Sequence, residues 1–315
     1  MMKKNSFRWV YAIIKAVIAF AALILLIFLV LIFVGIASLF IGADVESLDG
    51  NVAIISIDGV ILGSDGSDYL FESVASSDDI VELVEEADKN PAIKAIIFEI
   101  NSPGGSPVAS EEIAGAILKT NKTTVAWIRD IGTSGAYWAA SASEHVVASR
   151  ASITGSIGVI GSYIEFPGLL ERYNVTYRRL VAGKYKDIGS PYREMTSEEQ
   201  AIFQKMLDEL GDYFISEVAK NRQMSKKDVE KIANGLFYLG SEAKELGLVD
   251  ELGGKDEVIR YIEAKENIKA ELVEYEKEKG FLEVLSGVMN ENSFFAGKGI
   301  GSSLLQKSSS ITLTT

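Results

Sequence analysis

The sequence predicts an α/β domain that follows a single membrane-spanning helix. After about residue 50, short and almost wholly apolar segments alternate with segments of helical periodicity. This alternation is typical of a mostly parallel sheet with helices on both faces. Before the domain, residues 16–43 contain no charged side chain. A run of about 20 such residues crosses the hydrocarbon core of a bilayer, so we expect a transmembrane anchor here.

The charges around the apolar run predict its orientation. Lys3, Lys4, Arg8 and Lys15 precede the run, and no acidic residue does. The positive-inside rule therefore places the N-terminus in the cytoplasm and the rest of the chain outside a cell membrane crossed once. A cleavable signal peptide is the alternative, but its apolar region usually covers only about 7–15 residues.

Four regions follow from this organisation. Residues 1–15 form a cytoplasmic segment, 16–43 the anchor, 44–280 the folded domain and 281–315 a tail. The tail is rich in Ser, Gly and Thr, and we expect it to be mobile.

The elements of the domain are predicted from their periodicity and caps. The first three strands are expected at residues 51–57, 92–100 and 125–128, with helices at 78–89 and from 107 to 118 between them. Further strands are expected at 146–148, 157–160, 176–181 and 271–275, a strand and turn at 248–254, and further helices at 169–173, 197–221, 224–234, 241–246 and 256–264.

Composition excludes several kinds of chemistry. The chain has no Cys, and its one His is His145. Disulfides, a thiol nucleophile, Cys-ligated zinc and a two-His metal site within one chain are therefore excluded. His145 begins an apolar run and is most simply a surface residue. A hydrolase built on this chain would need Lys, Asp, Glu or Tyr as its base.

The net charge also limits the partners. The formal charge is -13, from 31 Lys and Arg against 44 Asp and Glu, and four of the bases precede the anchor. The domain is therefore strongly acidic, and we expect no nucleic-acid partner.

Ser134 lies on the turn between the strand at 125–128 and a small-residue helical segment. A serine at the positive end of a helix suits a nucleophile, but it equally suits an ordinary N-cap, which is the commoner case. The surrounding Gly-Thr-Ser-Gly is not the Gly-x-Ser-x-Gly elbow, because Ala136 occupies the last position.

Gly104 and Gly105 also follow a predicted strand and precede a helix. Their amides could hold an oxyanion, although a tight turn between Pro103 and Pro107 explains them as well. The Gly-Lys-Ser/Thr ending of a phosphate loop is missing, so no nucleotide site is predicted.

A serine without a histidine is most simply activated by lysine. A lysine acts as a base only when neutral, and this requires burial or other surroundings that lower its pKa from about 10.4. Lys184 and Lys186 both lie in a loop of small residues and are equal candidates on these grounds, although loop lysines are usually solvated. Ser156, in Thr-Gly-Ser-Ile-Gly-Val, could orient such a lysine, or could simply belong to a turn.

Four motifs in order give the sequence a family resemblance. They are Asn-Ser-Pro-Gly-Gly (101–105), Gly-Thr-Ser-Gly-Ala-Tyr-Trp (132–138), Thr-Gly-Ser-Ile-Gly-Val (154–159) and Gly-Lys-Tyr-Lys-Asp-Ile-Gly-Ser-Pro (183–191). Together they resemble the membrane-anchored signal peptide peptidases, over about residues 50–265 and in the short, single-domain form. That family is similar in fold to the Clp protease and crotonase superfamily, which implies repeated β-β-α units.

The resemblance implies a serine endopeptidase with a Ser/Lys dyad. Ser134 matches the nucleophile, Lys186 the general base and Ser156 the hydroxyl that orients the lysine, whereas Lys184 matches a variable position. Gly104 or Gly105, together with the amide of Gly135, matches the oxyanion hole. No metal or other cofactor is implied.

The resemblance also implies partners. The family forms a dome-shaped homo-oligomer, with an octamer as one candidate stoichiometry, and each site is built from neighbouring subunits. It degrades remnant signal peptides, so the expected substrates are extended apolar peptides. The C-terminal tail could be processed by the enzyme itself or lie in the substrate groove. The alternatives are a crotonase-like acyl-transfer enzyme and an inactive, membrane-tethered scaffold that binds peptides.

Overall fold

A computed structural model describes residues 4–40, 50–64 and 73–277 of the chain. The chain divides into two units, residues 1–49 and 50–315. The last residues of the predicted anchor, the start of the predicted domain and the predicted tail (281–315) lie outside the described residues. The boundaries between the four predicted regions therefore stay predictions.

The first unit contains helix α1, Lys4–Phe40, of 37 residues. Its residues Ile14–Leu31 have a mean hydropathy of 3.0. An 18-residue stretch of helix rises about 27 Å, close to the thickness of the hydrocarbon core. The structure thus confirms an N-terminal apolar helix long enough to cross a membrane, and the orientation of this helix stays a prediction.

The second unit alternates strands and helices as predicted. Its strands are β1 Val52–Leu62, β2 Val74–Ser76, β3 Ala95–Gly105, β4 Thr123–Thr133, β5 His145–Ala148, β6 Ile153–Gly155, β7 Phe237–Leu239, β8 Glu251–Leu252 and β9 Leu272–Glu274. Its helices are α2 Ser77–Lys89, α3 Pro107–Lys119, α4 Gly135–Ser141, α5 Pro167–Arg172, α6 Ser197–Asn221, α7 Lys226–Ile232, α8 Gly240–Glu245 and α9 Lys255–Glu266.

These strands form a mostly parallel sheet in the order β2-β1-β3-β4-β5-β8. Strand β9 also pairs with β1 and β6 with β4, both parallel, whereas β7 pairs antiparallel with β6. The predicted α/β class with a mostly parallel sheet is therefore confirmed.

Strands β1, β3 and β4 explain the predicted β-β-α units. Each has 11 residues and is followed by a helix, directly or after a short strand. The pairing of β1 with β3 and that of β3 with β4 both shift register near the middle of the strands. The first half of β4 pairs with β5 and its second half with β6. One long strand thus serves as both strands of each unit.

Burial on both faces explains why the strands are almost continuously apolar. On one face of the sheet, Ile55, Ile57 and Phe98 are fully buried in a large cluster that includes residues of α2, α3, α4 and α6. On the other face, Val52 and Ile54 pack in a smaller cluster with residues of α9. Each such side chain contributes about 1.5–3 kcal/mol of transfer free energy.

Residues 156–196, here called the arm, differ from the rest of the domain. Neither predicted strand at 157–160 or 176–181 forms, and α5 is the one regular element of the arm. Apolar side chains there are exposed: Ile160 is 88%, Ile164 78% and Leu180 96% accessible. The two strand predictions were wrong because neither segment has a strand to pair with, and apart from the fully buried Ile157 none of their apolar side chains is buried in the described chain.

Candidate active site

Ser134 lies at the end of β4 and directly before α4, as the sequence predicted. Its backbone has φ 53° and ψ -125°. Five described non-glycine residues have a positive φ, and three of them (Asn174, Gln223 and Asn267) follow a helix end, where this conformation is common. The other two are Ser134 and Ser156. Such conformations cost about 1–3 kcal/mol and cluster at functional sites.

The pairing of β4 with β6 brings these two serines side by side. Thr133 pairs with Gly155, and the Ser134 amide donates a hydrogen bond of 2.8 Å to the Gly155 carbonyl. Both serines are half-buried, and neither hydroxyl makes a hydrogen bond to the residues that the structure describes. Both hydroxyls are therefore available to a substrate or to a base.

The predicted glycines surround Ser134. Gly104 has φ +95°, and a Cβ added to it would lie 2.7 Å from the Gly135 nitrogen and 3.0 Å from the Ser134 Cβ. A Cβ added to Gly135 would lie 3.4 Å from the Gly105 nitrogen. Glycine at 104 thus lets β3 approach the start of α4 this closely, whereas a Cβ at 105 would collide with the Ile61 backbone of β1 and one at 135 with Ser110 Oγ of α3.

The two candidate amides of β3 differ in their hydrogen bonds. The Gly104 amide donates to Ser102 Oγ at 3.1 Å, and Ser102 is fully buried. The Gly135 amide is the first of helix α4, where a backbone N–H has no partner within the helix. The Gly104 amide is therefore already occupied, whereas the Gly135 amide is not satisfied within its own helix.

An apolar cleft of about 180 Å³ opens beside Ser134. Its floor contains Trp138, whose ring stacks on Phe214 at 4.9 Å and meets Tyr213 edge-on at 5.5 Å. The one carboxylate on its lining, that of Glu111, accepts a hydrogen bond of 2.6 Å from the Tyr213 hydroxyl. The other lining residues are Gly105, Pro107, Val108, Gly135, Gly158, Val159, Ile160 and Leu210.

The two candidate lysines lie in different surroundings. Lys184 Nζ is 2.8 Å from each carboxylate oxygen of Glu198, and the hydrogen bonds to Glu198 raise the pKa of Lys184 well above its usual value. Lys186 is exposed, and its ammonium makes no hydrogen bond or ion pair with the described residues, Ser134 and Ser156 included. The described chain thus brings Ser134, Ser156 and the three glycines together, but not Lys186.

His145 lies far from Ser134. It pairs with Val125 near the start of β4, and Ser134 follows the end of that strand. Nine residues of strand correspond to about 30 Å if the strand is straight. The His145 ring stacks on Tyr261 at 3.9 Å, which is a structural contact.

One charged cluster in the arm was not predicted. Arg179 and Arg193 both bind Asp187, and Arg193 also binds Glu199. The sequence contained part of the signal, since Thr196 and Glu199 form the capping box of α6. The arginine partners come from irregular segments, whose contacts have no periodicity from which they could be predicted.

Known proteins match this chain over much of its length. A family model described as Peptidase family S49 matches residues 116–269. The putative protease MJ0651 of Methanocaldococcus jannaschii is 37% identical over 70% of this chain and 71% of its own length. The putative signal peptide peptidase SppA of Enterococcus faecium is 30% identical over 71% of this chain, which spans 66% of that relative.

A solved structure, that of a mutant of the membrane-bound stomatin-specific protease 1510-N, matches with a TM-score of 0.45 and 14% identity. The match covers 67% of this chain and 84% of that one.

The parallel sheet, the serine between strand and helix, and the protease relatives define the class of this protein as a peptidase. Within that class, the chain belongs to peptidase family S49. The family resemblance found in the sequence is thereby confirmed.

Proposed function

We propose that this protein is a membrane-anchored serine endopeptidase with a Ser/Lys dyad, in which Ser134 is the nucleophile and Lys186 the general base. The observation that carries the proposal is the strained turn of Ser134, which lies beside the backbones of Gly105 and Gly135 and whose hydroxyl bonds to none of the described residues. Strain at a half-buried serine is costly, so it supports a functional role rather than ordinary helix capping.

The lysine assignment rests on the contrast within the arm. Lys184 is paired with Glu198, which favours its protonated form, so it is a poor base. Lys186 has no such partner among the described residues. Its exposure in a single chain supports a site completed by oligomerisation, in which a neighbouring subunit buries the lysine against the serines.

In the proposed reaction, the neutral Lys186 amine accepts the proton of Ser134 Oγ as Oγ bonds to the scissile carbonyl carbon. The carbonyl π electrons move to oxygen, and the amides of Gly105 and Gly135 stabilise the resulting oxyanion. The C–N bond then breaks, and the lysine ammonium gives its proton to the leaving amine. A water molecule, deprotonated by the same lysine, hydrolyses the acyl-enzyme. Ser156 holds the lysine in position by a hydrogen bond.

The apolar cleft supports an extended apolar peptide as substrate. A cleaved signal peptide has this character, and a peptidase tethered by α1 would meet it at the membrane surface. We infer that the domain lies on the extracytoplasmic side, because the basic residues precede the apolar helix. No metal or nucleotide takes part in the proposed reaction.

The exposed apolar side chains of the arm support the predicted homo-oligomer. Large contiguous apolar surfaces on soluble domains usually mark interaction sites. Ile160, Ile164, Tyr173 and Leu180 are between 70% and 96% exposed. Leu180 lies six residues before Lys186 in the sequence, so a neighbouring subunit that covered the arm could also desolvate that lysine.

The experiment compares the detergent-purified full chain with Ser134→Ala, Lys186→Ala and Lys184→Ala on an apolar fluorogenic peptide between pH 6 and 10. We expect the first two variants to lose at least about 10³-fold in kcat/KM. Lys184→Ala should retain most of the activity, and wild-type activity should rise with pH as lysine deprotonates.

Two outcomes would reject this function. Full activity of Lys186→Ala would show that the base is another residue. A folded, oligomeric wild type that cleaves no peptide would favour the scaffold, and thioester turnover in its place would favour an acyl-transfer enzyme.

A further inference from the structure

The turn that carries Lys186 is fixed through its neighbours rather than through the lysine itself. Gly183, with φ +107°, lets the turn close, and the Lys186 amide donates to the Gly183 carbonyl at 3.2 Å. On one side of Lys186, Tyr185 donates its hydroxyl proton to Glu198 at 2.5 Å. On the other side, Asp187 binds two arginines. The backbone at Lys186 is thus held, while its side chain pairs with none of the residues that the structure describes.

Asp187 receives a fork from each arginine. Arg179 Nε and Nη2 lie 2.5 and 2.6 Å from its two carboxylate oxygens. Arg193 Nε and Nη2 lie 3.0 and 3.1 Å from the same two oxygens. Hydrogen bonds from Arg179, and to a smaller extent from Arg193, hold the pKa of the Asp187 carboxyl far below its usual range. Asp187 is therefore charged at every pH at which the enzyme could work.

Arg193 connects this turn to helix α6. Its Nη1 and Nη2 lie 2.8 and 2.6 Å from the two oxygens of Glu199, whose carboxylate also accepts the Thr196 amide at 2.9 Å. The Asp187, Arg193 and Glu199 side chains are only 13%, 21% and 6% exposed. The 25-residue helix α6 therefore holds the turn at two points, through Glu198 to Lys184 and Tyr185 and through Glu199 to Arg193. The planar guanidinium of Arg193 fixes direction as well as distance.

The same cluster balances charge around Lys186. Arg179 and Arg193 match Asp187 and Glu199, and Lys184 matches Glu198. Every carboxylate of the turn and of the first turn of α6 is therefore paired. An unpaired carboxylate next to the base would favour its protonated, inactive form.

We propose that Arg193 is a positioning residue for the Lys186 base: it fixes the turn to α6 and neutralises the carboxylates of Asp187 and Glu199. This inference rests on the proposed Ser/Lys dyad. It assigns Arg193 no contact with substrate.

The test uses the full chain in detergent and measures kcat and KM for the apolar fluorogenic peptide from pH 6 to 10. Arg193→Met removes the fork and the charge, whereas Arg193→Lys keeps the charge without the fork. Lys205→Met is the matched control. Lys205 is a 79% exposed cation on α6, and its ion pair with Glu209 lies outside the cluster. Lys186→Ala reports on the dyad itself.

In Arg193→Met, we expect kcat to fall about 10²-fold, as for a misplaced catalytic group, with KM changed less than about twofold. The rising limb of its pH profile should move to higher pH, because two carboxylates lose a cation. In Arg193→Lys, the rising limb of the pH profile should lie at its wild-type position, but kcat should be about tenfold lower than in wild type. Lys205→Met should match wild type.

A wild-type kcat and pH profile in Arg193→Met would overturn the inference. A higher KM with an unchanged kcat would overturn it as well. If circular dichroism shows that Arg193→Met does not fold, Arg193→Lys becomes the test of the inference. A lowered kcat in Arg193→Lys supports the inference, and a wild-type kcat overturns it. Full activity in Lys186→Ala would reject the dyad instead, so failure of the proposed function and failure of this inference are distinguishable.

Discussion

The sheet that carries Ser134 and the arm that carries Lys186 are built in opposite ways. Around Ser134, position comes from apolar burial and from backbone register, since Ser102 pairs with Gly132 and Thr133 with Gly155 on neighbouring strands. Around Lys186, position comes from ion pairs at the surface of one helix. Ser134, the proposed nucleophile, is thus fixed within one described chain, whereas Lys186, the proposed base, lies on a segment with exposed apolar side chains.

This difference assigns separate tasks to the two regions. A strained serine needs a stiff frame, because strain persists only where the surroundings over-determine it. A lysine base needs desolvation that one described chain does not give it, and an exposed arm can obtain this from a neighbouring subunit. The proposed peptidase would then be active only when assembled, which limits cleavage by single chains.

The largest effect is expected from a substitution in the apolar core of the sheet, and it concerns stability. Ile55 is fully buried on the face of β1 that packs in the larger apolar cluster, so Ile55→Ala removes apolar contacts and leaves a cavity. We expect the free energy of unfolding to fall by about 2–5 kcal/mol, measured by denaturant unfolding of the full chain in detergent. A change below about 1 kcal/mol would contradict the assignment of stability to this sheet.

The second largest effect is expected from a substitution at the close backbone contact beside Ser134. Gly104→Ala places a methyl group 2.7 Å from the Gly135 nitrogen at a φ of +95°. We expect kcat/KM for the apolar peptide to fall about 10²-fold or more, as on loss of one oxyanion donor, because α4 must move away from β3.

Gly115→Ala is the control for this variant. Gly115 lies within α3, and an added Cβ would meet no atom within 4 Å. This change should stabilise the helix by about 0.5–1 kcal/mol and leave activity unchanged. Equal activity in both variants would mean that the close approach of β3 to α4 does not contribute to catalysis.

The same contrast decides what the sequence could predict. Strands β1, β3 and β4 were predicted because burial on both faces leaves an apolar run, and α6 because of its capping box. Ser134, Ser156 and the glycines were found as motifs, but their contacts depend on strand register, which no local pattern gives. In the arm, segments 157–160 and 176–181 have strand-like composition without a strand to pair with.

The charged cluster of the arm lay beyond sequence reasoning for another reason. Asp187, Arg193 and Glu199 form a salt-bridge network across a turn and a helix start. A pair six residues apart has no fixed geometry outside regular structure, so only the fold decides whether the side chains meet. The choice between Lys184 and Lys186 likewise depends on Glu198, which the turn brings to Lys184.

The smallest effect on stability is expected in the arm. Leu180 is 96% exposed, so Leu180→Ser should change the free energy of unfolding by less than about 0.5 kcal/mol. The same variant should weaken assembly if a neighbouring subunit covers this surface, and sedimentation velocity in detergent measures that directly. Leu118→Ser, at a 49% exposed leucine of α3 outside the arm, is the control and should leave assembly unchanged. Loss of both assembly and activity in Leu180→Ser, with stability intact, would tie the exposed apolar surface of the arm to the working enzyme. Unchanged assembly would instead remove Leu180 from any interface between subunits.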